Sequence, residues 1–438
     1  MDIPAVLLVN LGTPLSPAPA DVRKFLRTFL GDRRVVEIPP VLWKPLLEGI
    51  ILRTRPKHSA RLYQSIWDIG EVTGSPLQYW SERQRDALAG RLGESAHVTL
   101  AMRYSEPTIG DTLSELRDRG YRRVLVVPLY PQYAASTVAS VNDEVARWLL
   151  AERDQMAVSV LHSYPDFPPY IEALALAVEK HWAEHGELDP SRGDRLVLSF
   201  HSIPMSVHKA GDPYRNECEL TARLLAQRLH LDMGSLADTA GACPLDTSAS
   251  TTNAVVTAGA ARTSDVSRVD NAASAAAVTS SAANATDAAD AARAADSLTA
   301  AGVVDTGTGG RGNVATAHGV TDAHNGGGDV NTAAAATRGE CVVTYQSVFG
   351  PAQWIGPATI DTVRALGRAH ARRVDVICPG FTADCLETLQ EINMLNREEF
   401  VRAGGGQFHY IPWANAEQPW LAALEQLVRR ELPTRSGD

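Results

Sequence analysis

Short β-branched runs alternate with longer amphipathic stretches along most of this chain, and that alternation limits the fold more than any other feature. The runs at 5–10, 97–102, 123–128, 158–162, 195–201, 342–346, 374–378 and 407–411 read as strands. Between them the apolar period lengthens and predicts helices over 19–30, 78–91, 109–118, 136–152, 168–185, 214–229, 358–369, 383–396 and 416–431. Strands alternating with helices of this length build a mostly parallel, helix-covered sheet. At 438 residues the chain is long enough for two such sheets. The active site is then expected between the lobes or at the carboxyl ends of the strands.

One segment breaks the pattern. From Leu236 to Glu340 the chain is dominated by Ala, Thr, Ser, Asp, Gly and Val, with no Phe, Trp, Tyr, Ile or Lys. Such a composition cannot bury enough apolar area to offset the entropy of ordering it. It reads as a disordered insertion, with a transient helix around Asp287–Ala295. A small independent domain is the weaker rival, for want of aromatic residues. The expected organisation is a first lobe over 1–155, a second over 156–235 and 341–438, and an insertion over 236–340. The final helix is free to pack back on the first lobe.

Charge and cysteine content narrow the function. A net charge of -10 argues against a general nucleic-acid binder, which needs a basic stripe. Five cysteines are too few, and odd in number, for a disulfide framework, so a reducing, cytoplasmic setting is expected. The apolar start, Ala5 to Val9, is short and lacks a basic flank, so it reads as a buried strand rather than a secretory signal. No stretch approaches the roughly 20 apolar residues of a membrane span. Peripheral membrane contact is the most the sequence allows. A P-loop and a nucleophile elbow are absent from the sequence.

Four segments carry candidate chemistry. In LVLSFHSIPMSVHKAGDPY a strand ends at His201, where α/β sites gather. Imidazole there can accept a proton or bind a borderline metal, or simply hydrogen-bond its own loop; on the residues alone the two accounts are equal. His208 reads as a solvated loop residue. In CPGFTADCLETLQEI the acidic residues Asp384, Glu387 and Glu391 fall three and four apart, on one face of a helix. The helix dipole accounts for Asp384 and poorly for Glu391. A line of carboxylates suits a divalent cation or a proton relay. Cys378 and Cys385 lack zinc spacing and read as buried thiols. In VVPLYPQYAASTVAS, Tyr130 and Tyr133 are either packing or the wall of a flat aromatic ligand, and Ser136 or Thr137 is the expected cap of the next helix. In YQSVFGPAQWIGPAT, Trp354 sits in a Gly/Pro loop, which favours ligand contact. LRTRPKHS reads as a basic loop with Arg53, Arg55 and Lys57; Ser75 of GSPL precedes a helix, and Arg103 of AMRYSEP ends a strand. Carboxylate-bearing ligands need such groups, although a charge run is usually a solvated face.

Each segment is weak alone. Together and in this order, LLVNLGTP, GSPL, AMRYSEP, PLYPQYAAST, SFHSIPMSVHKAGDPY, YQSVFGPAQWIGP and CPGFTADCLETLQEI closely resemble the ferrochelatases of Gram-negative bacteria. The resemblance covers nearly all of the chain outside the insertion. It implies two Rossmann-like, doubly wound lobes with a porphyrin cleft between them. It also implies insertion of Fe2+ into protoporphyrin IX, the last step of haem biosynthesis, by a monomer or weak dimer. His201 matches the family's active-site histidine and Glu387 its partner carboxylate, both facing the metal, with Asp384 and Glu391 along a proton or iron path. Tyr63, Arg103, Tyr130 and Trp354 match pocket residues. Ser75, Ser347, Arg53 and Lys57 match regions near the porphyrin propionates. Some members carry a [2Fe–2S] cluster. Here Ala135 replaces one cysteine ligand and no cysteine follows Cys385, so no permanently bound cofactor is expected, Fe2+ being a substrate. The alternatives are a chelatase for cobalt or for coproporphyrin, or a non-catalytic tetrapyrrole carrier on the same fold.

Overall fold

The computed structural model describes residues 3–234, 339–348 and 352–432. The expectations for 236–338, the helix at 287–295 among them, lie outside the described residues. The described strands are all parallel and form two sheets. The first contains β1 (Ala5–Asn10), β2 (His97–Met102), β3 (Arg123–Pro128) and β4 (Ala157–Val160), in the order β2-β1-β3-β4. The second contains β5 (Arg195–His201), β6 (Asp232–Met233), β7 (Glu340–Gln346), β8 (Arg373–Ile377) and β9 (Gln407–Ile411), in the order β6-β7-β5-β8-β9.

These orders decide where a ligand can sit. In the first sheet the chain adds β2 outside β1 and then crosses over to β3; in the second it runs from β5 to the edge strand β6, returns through β7 and crosses over to β8, so the order reverses beside β1 and beside β5. Ligands of open α/β sheets bind at the carboxyl end of such switch strands. Both strands are apolar because helices cover both faces: every residue of β1 and the five central residues of β5 are buried.

Two details of the expected organisation change. β4 pairs with β3, so residues up to Val160 belong to the first sheet and the lobes meet later than residue 155. β7 begins at Glu340, with Gly339 already bonded to Asp232, so the second sheet resumes before residue 341.

The lobes share one core. Tyr164, Tyr170, Trp413 and Trp420 cluster between the sheets, with edge-to-face ring centroids 5.3 Å apart for Trp413–Trp420 and 5.5 Å for Tyr170–Trp413. Hydrogen bonds cross the junction as well: the Tyr170 hydroxyl donates to the Pro379 carbonyl at 3.0 Å, and Thr382 Oγ1 to the Leu129 carbonyl at 3.0 Å. The last helix, Gln418–Glu431, packs on Pro168–His185 and also reaches helix Pro76–Leu92, where Arg91 bonds Gln418 at 2.6 Å and Glu425 at 3.1 Å.

The stretch read as a basic loop is helical. Leu52–Ile66 is an α-helix that contains Pro56, preceded by a π-helical turn over Leu47–Ile51. The helical run is continuous from Pro40, so Pro56 lies inside it and costs it one backbone hydrogen bond. The helix expected from residue 136 is also modified. Ala135–Ala139 is a π-helical turn, and the α-helix Ser140–Ala151 follows without a side-chain cap from Ser136 or Thr137.

Candidate active site

The carboxyl ends of β1 and β5 open into the same cavity of about 380 Å³. That volume falls in the usual range for small-molecule sites. Gly12, just past β1, has a φ of 102° and lies so close to the next loop that a Cβ would meet Ser105 Oγ at 2.5 Å. The LGTP turn therefore needs glycine, and its conformation brings the β1 end into the cavity wall.

His201 ends β5 as the sequence predicts, and it faces the cavity together with Glu387. Its Nδ1 lies 2.6 Å from the Ser202 carbonyl oxygen. A carbonyl can only accept, so Nδ1 carries the proton and Nε2 keeps a free lone pair. Burial pushes the imidazole pKa down, against the opposing pull of the Glu387 charge and the Ser202 carbonyl. The ring is therefore held neutral, as a base or a metal ligand must be.

Glu387 and Glu391 lie on a helix, but not an ordinary one. Glu387–Asn396 is π-helical, with i→i+5 bonding. Such segments are rare and concentrate at functional sites; the π-helical turn Ala135–Ala139 also borders the cavity, through Ser136 and Thr137. Glu391 is clamped by Ser347, whose backbone N–H donates to Oε1 at 2.6 Å and whose hydroxyl donates to Oε2 at 2.5 Å. Ser347 adopts a positive φ of 64° to make that clamp. Burial nevertheless pushes the Glu391 carboxyl up to about 7, against the Ser347 hydrogen bonds.

Asp384 is not on that face. The chain from Thr382 to Cys385 is irregular, and the helix opens only at Leu386. The Asp384 carboxylate accepts hydrogen bonds from Tyr410 at 2.6 Å, Asn415 at 2.7 Å and Thr388 at 2.8 Å. It braces the loop before the helix and does not line the cavity.

The other predicted positions divide. Tyr63, Ser75, Tyr130 and Trp354 line the cavity. Ser75 is buried and its side chain makes no cap bond to the following helix. The Tyr130 hydroxyl is sealed without a hydrogen-bond partner, and burial pushes its pKa well up. Arg103 is not on the wall. Its guanidinium pairs with Asp32 at 2.8 Å and Glu144 at 3.4 Å, donates to Ser140 Oγ at 2.7 Å and lies over the Tyr104 ring. Ser347 acts through Glu391 rather than on the cavity. Arg53 and Lys57 are exposed on the outer face of their helix, one turn apart, while Arg55 between them lines the cavity. Burial lowers the Arg55 pKa to about 10.

Sequence reasoning missed Arg34 and Tyr214 on the cavity wall. Arg34 is tied to Asp143 at 2.8 Å. Nothing in the sequence marked it, but Tyr214 ends the GDPY motif and was the position next to hand. Cys378 and Cys385 are buried thiols, as expected. His208 lies on the short helix Met205–Lys209 rather than in a loop.

A sequence model of the ferrochelatase family matches residues 4–237 and 326–432, and the gap between them falls within the low-complexity stretch. Curated ferrochelatases match nearly end to end. That of Aromatoleum aromaticum is 39% identical over 99% of this chain and 88% of its own length. Those of Azoarcus sp. and Methylibium petroleiphilum are 38% and 36% identical, over 97% and 99% of this chain and 87% and 90% of theirs. The chain belongs to the ferrochelatase family. The solved structure of SirB from Bacillus subtilis with Fe3+ is a distant likeness, with a TM-score of 0.41 and 11% identity over 98% of this chain, too remote to bear on the site.

Proposed function

We propose that this chain inserts Fe2+ into protoporphyrin IX with His201 and Glu387 as the reacting pair. As a ferrochelatase it is a lyase of haem biosynthesis that takes Fe2+ as substrate. The reaction breaks two pyrrole N–H bonds, forms iron–nitrogen bonds and releases two protons. The observation that carries the reading is His201 Nδ1 committed to the Ser202 carbonyl at 2.6 Å, which leaves Nε2 as an acceptor toward the cavity. Nε2 takes a pyrrole proton, and the Glu387 carboxylate takes the other or first receives the metal. Glu391 behind it, titrating near pH 7, passes protons onward. Mixed nitrogen and oxygen donors bind Fe2+ without trapping it as thiolates would.

Tyr63, Tyr130 and Trp354 hold the macrocycle between them and bias it away from planarity, using binding energy from the rest of the ring. Arg55 and Ser75 receive the propionates, in place of Arg53 and Lys57. No [2Fe–2S] cluster is part of the protein, on the strength of Ala135 and the cysteine-free stretch after Cys385. A monomer or weak dimer suffices, because one chain supplies both walls of the cavity. Among the described residues no helix is long and apolar enough to cross a membrane. Val41 and Leu42 are 84% and 53% exposed beside Ile38 and Pro39 of the cavity mouth, which supports peripheral membrane contact there. The cytoplasmic setting rests on the chain's sparse cysteines.

The deciding experiment is anaerobic Fe2+ insertion into purified protoporphyrin, with coproporphyrin and Co2+ in competition. Turnover selective for Fe2+ and protoporphyrin supports the reading. Tight porphyrin binding without turnover would make the chain a carrier, and preference for a competitor would make it another chelatase.

A further inference from the structure

Outside the cleft, His181, Asp375 and His409 form the one group of three metal-ligating side chains that converge among the described residues. His181 comes from helix Pro168–His185, while Asp375 and His409 are register partners on β8 and β9. His181 Nε2 lies 3.2 Å from His409 Nδ1 and 3.5 Å from Asp375 Oδ1, and His409 Nδ1 lies 3.1 Å from the same oxygen. A tetrahedral ion bound at ~2.0–2.1 Å holds its nitrogen and oxygen donors about 3.3 Å apart. The triangle already has that size.

Hydrogen bonding alone does not satisfy it. Asp375 Oδ1, in an ionised carboxylate, only accepts. If both imidazoles direct N–H groups at it, those two N–H groups face each other across 3.2 Å. If either nitrogen lacks its proton, its lone pair faces the carboxylate oxygen. A cation at the centre accepts a lone pair from all three. The carboxylate is oriented from behind as well. Trp182 Nε1 donates to Oδ2 at 3.0 Å, and the buried Arg373 guanidinium donates to Oδ1 at 2.8 Å and to Oδ2 at 2.5 Å. Such outer partners fix the ligand's direction. Arg373 also places a positive charge beside the ion, so binding is weaker than in a site with thiolate or a second carboxylate. On the solvent side the exposed His185 ring stacks on His181, 4.2 Å between centroids, and lies 4.8 Å from His409.

We infer that His181, Asp375 and His409 bind one divalent ion of the Fe2+–Zn2+ class, with water or His185 in the fourth position. The donors are borderline nitrogen and hard oxygen, which exclude a soft-metal site and disfavour Ca2+ and Mg2+. None of the three residues lines the cleft cavity. The ion ties the helix carrying His181 to the edge strand β9.

The test uses full-length, tag-free protein. His201→Ala with Glu387→Gln removes the cleft donors, so that metal uptake reports this site. That parent is expected to retain one Zn2+ per chain in equilibrium dialysis, to show a ligand-field absorption band with Co2+, and to gain melting temperature with added Zn2+. Adding His181→Asn and His409→Asn should abolish all three. Should the double change prevent folding, His181→Ala alone, on the partly exposed helix face, should weaken Zn2+ binding at least tenfold. Ca2+ and Mg2+ should not compete. The inference fails if the parent takes up no Zn2+, or if the histidine variants retain it unchanged. Porphyrin insertion by otherwise native protein carrying His181→Asn should stay within about twofold, which separates this site from the reaction in the cleft.

Discussion

The wall that the first lobe gives to the cavity carries Tyr63, Ser75, Tyr130 and Arg55, whereas the second lobe gives His201 and Glu387, with Glu391 behind. The first wall is aromatic and basic, the surface that the proposed binding of a flat dianionic ring calls for. The second holds a neutral imidazole facing a carboxylate, with the Glu391 carboxyl pushed up to about 7 behind them. The difference follows from what each backbone can position. The first wall comes largely from helices laid over the sheet, which present broad side chains. The second comes from a switch-strand terminus and a π-helix, which aim single polar atoms. Binding and chemistry should therefore be separable by mutation.

The largest expected effect is on the second wall. His201→Ala should lower kcat by roughly 10²-fold or more, the scale of lost acid–base catalysis. Porphyrin affinity, measured by fluorescence quenching, should stay within a few-fold. An equal loss of affinity would dissolve the distinction between the walls. Glu391→Gln should cost about tenfold at pH 8 and less at pH 6. The reason is the carboxyl pKa of about 7: a proton acceptor there is blocked below that value and active above it, so native turnover rises with pH through it and the variant's profile flattens. The sign for stability is opposite. A raised carboxyl pKa favours the fold below the unfolded value and loses that contribution as pH rises through 7. Denaturant titrations should therefore show the native protein losing stability relative to the variant between pH 5 and pH 8.

On the first wall the contrast lies within one helix. Arg55→Ala should raise the porphyrin KM about tenfold with little change in kcat, the scale of one charged hydrogen bond. Arg53→Ala and Lys57→Ala should move KM by less than twofold. The reverse ranking would return the propionate contact to the outer face. The smallest effect concerns neither wall. Gly234 donates to Cys341 at 2.9 Å and Asp232 to Gly339 at 2.9 Å, so the chain leaves and rejoins the second sheet at adjacent points. Replacing residues 236–338 by a short Gly/Ser linker should change insertion activity by less than about twofold, because loop closure depends weakly on length. Loss of soluble expression or of activity would mean that the segment supports one of the walls.

The sheets were legible because parallel strands buried on both faces are continuous apolar runs, and β1, β2, β3, β5 and β9 begin and end where the sequence places them. β6 was missed because two residues carry no pattern. His201, Glu387, Tyr63 and Tyr130 were legible through motif wording that periodicity alone would not supply. Arg55 was obscured by Pro56, which made a helix look like a loop and left no face on which to sort the cluster. Arg103 was misplaced for a different reason. A buried arginine paired with Asp32 and Glu144 looks, in sequence, the same as one waiting for a carboxylate. Asp384 shared the spacing of Glu387 and Glu391, but spacing assumes that the helix has begun.

The π-helix over Glu387–Asn396 makes the second wall a matter of counting rather than of composition. Each of its turns holds more residues than an α-turn, so removal of one residue lets the segment relax to ordinary pitch without leaving a gap. The helix beyond would keep its direction, but residues inside the segment would be re-spaced from i→i+5 to i→i+4 pitch and change the faces they occupy. Glu391 would leave the Ser347 clamp although no functional side chain had been touched. The segment thus behaves as a dial set by residue number, far more tolerant of exchange than of deletion.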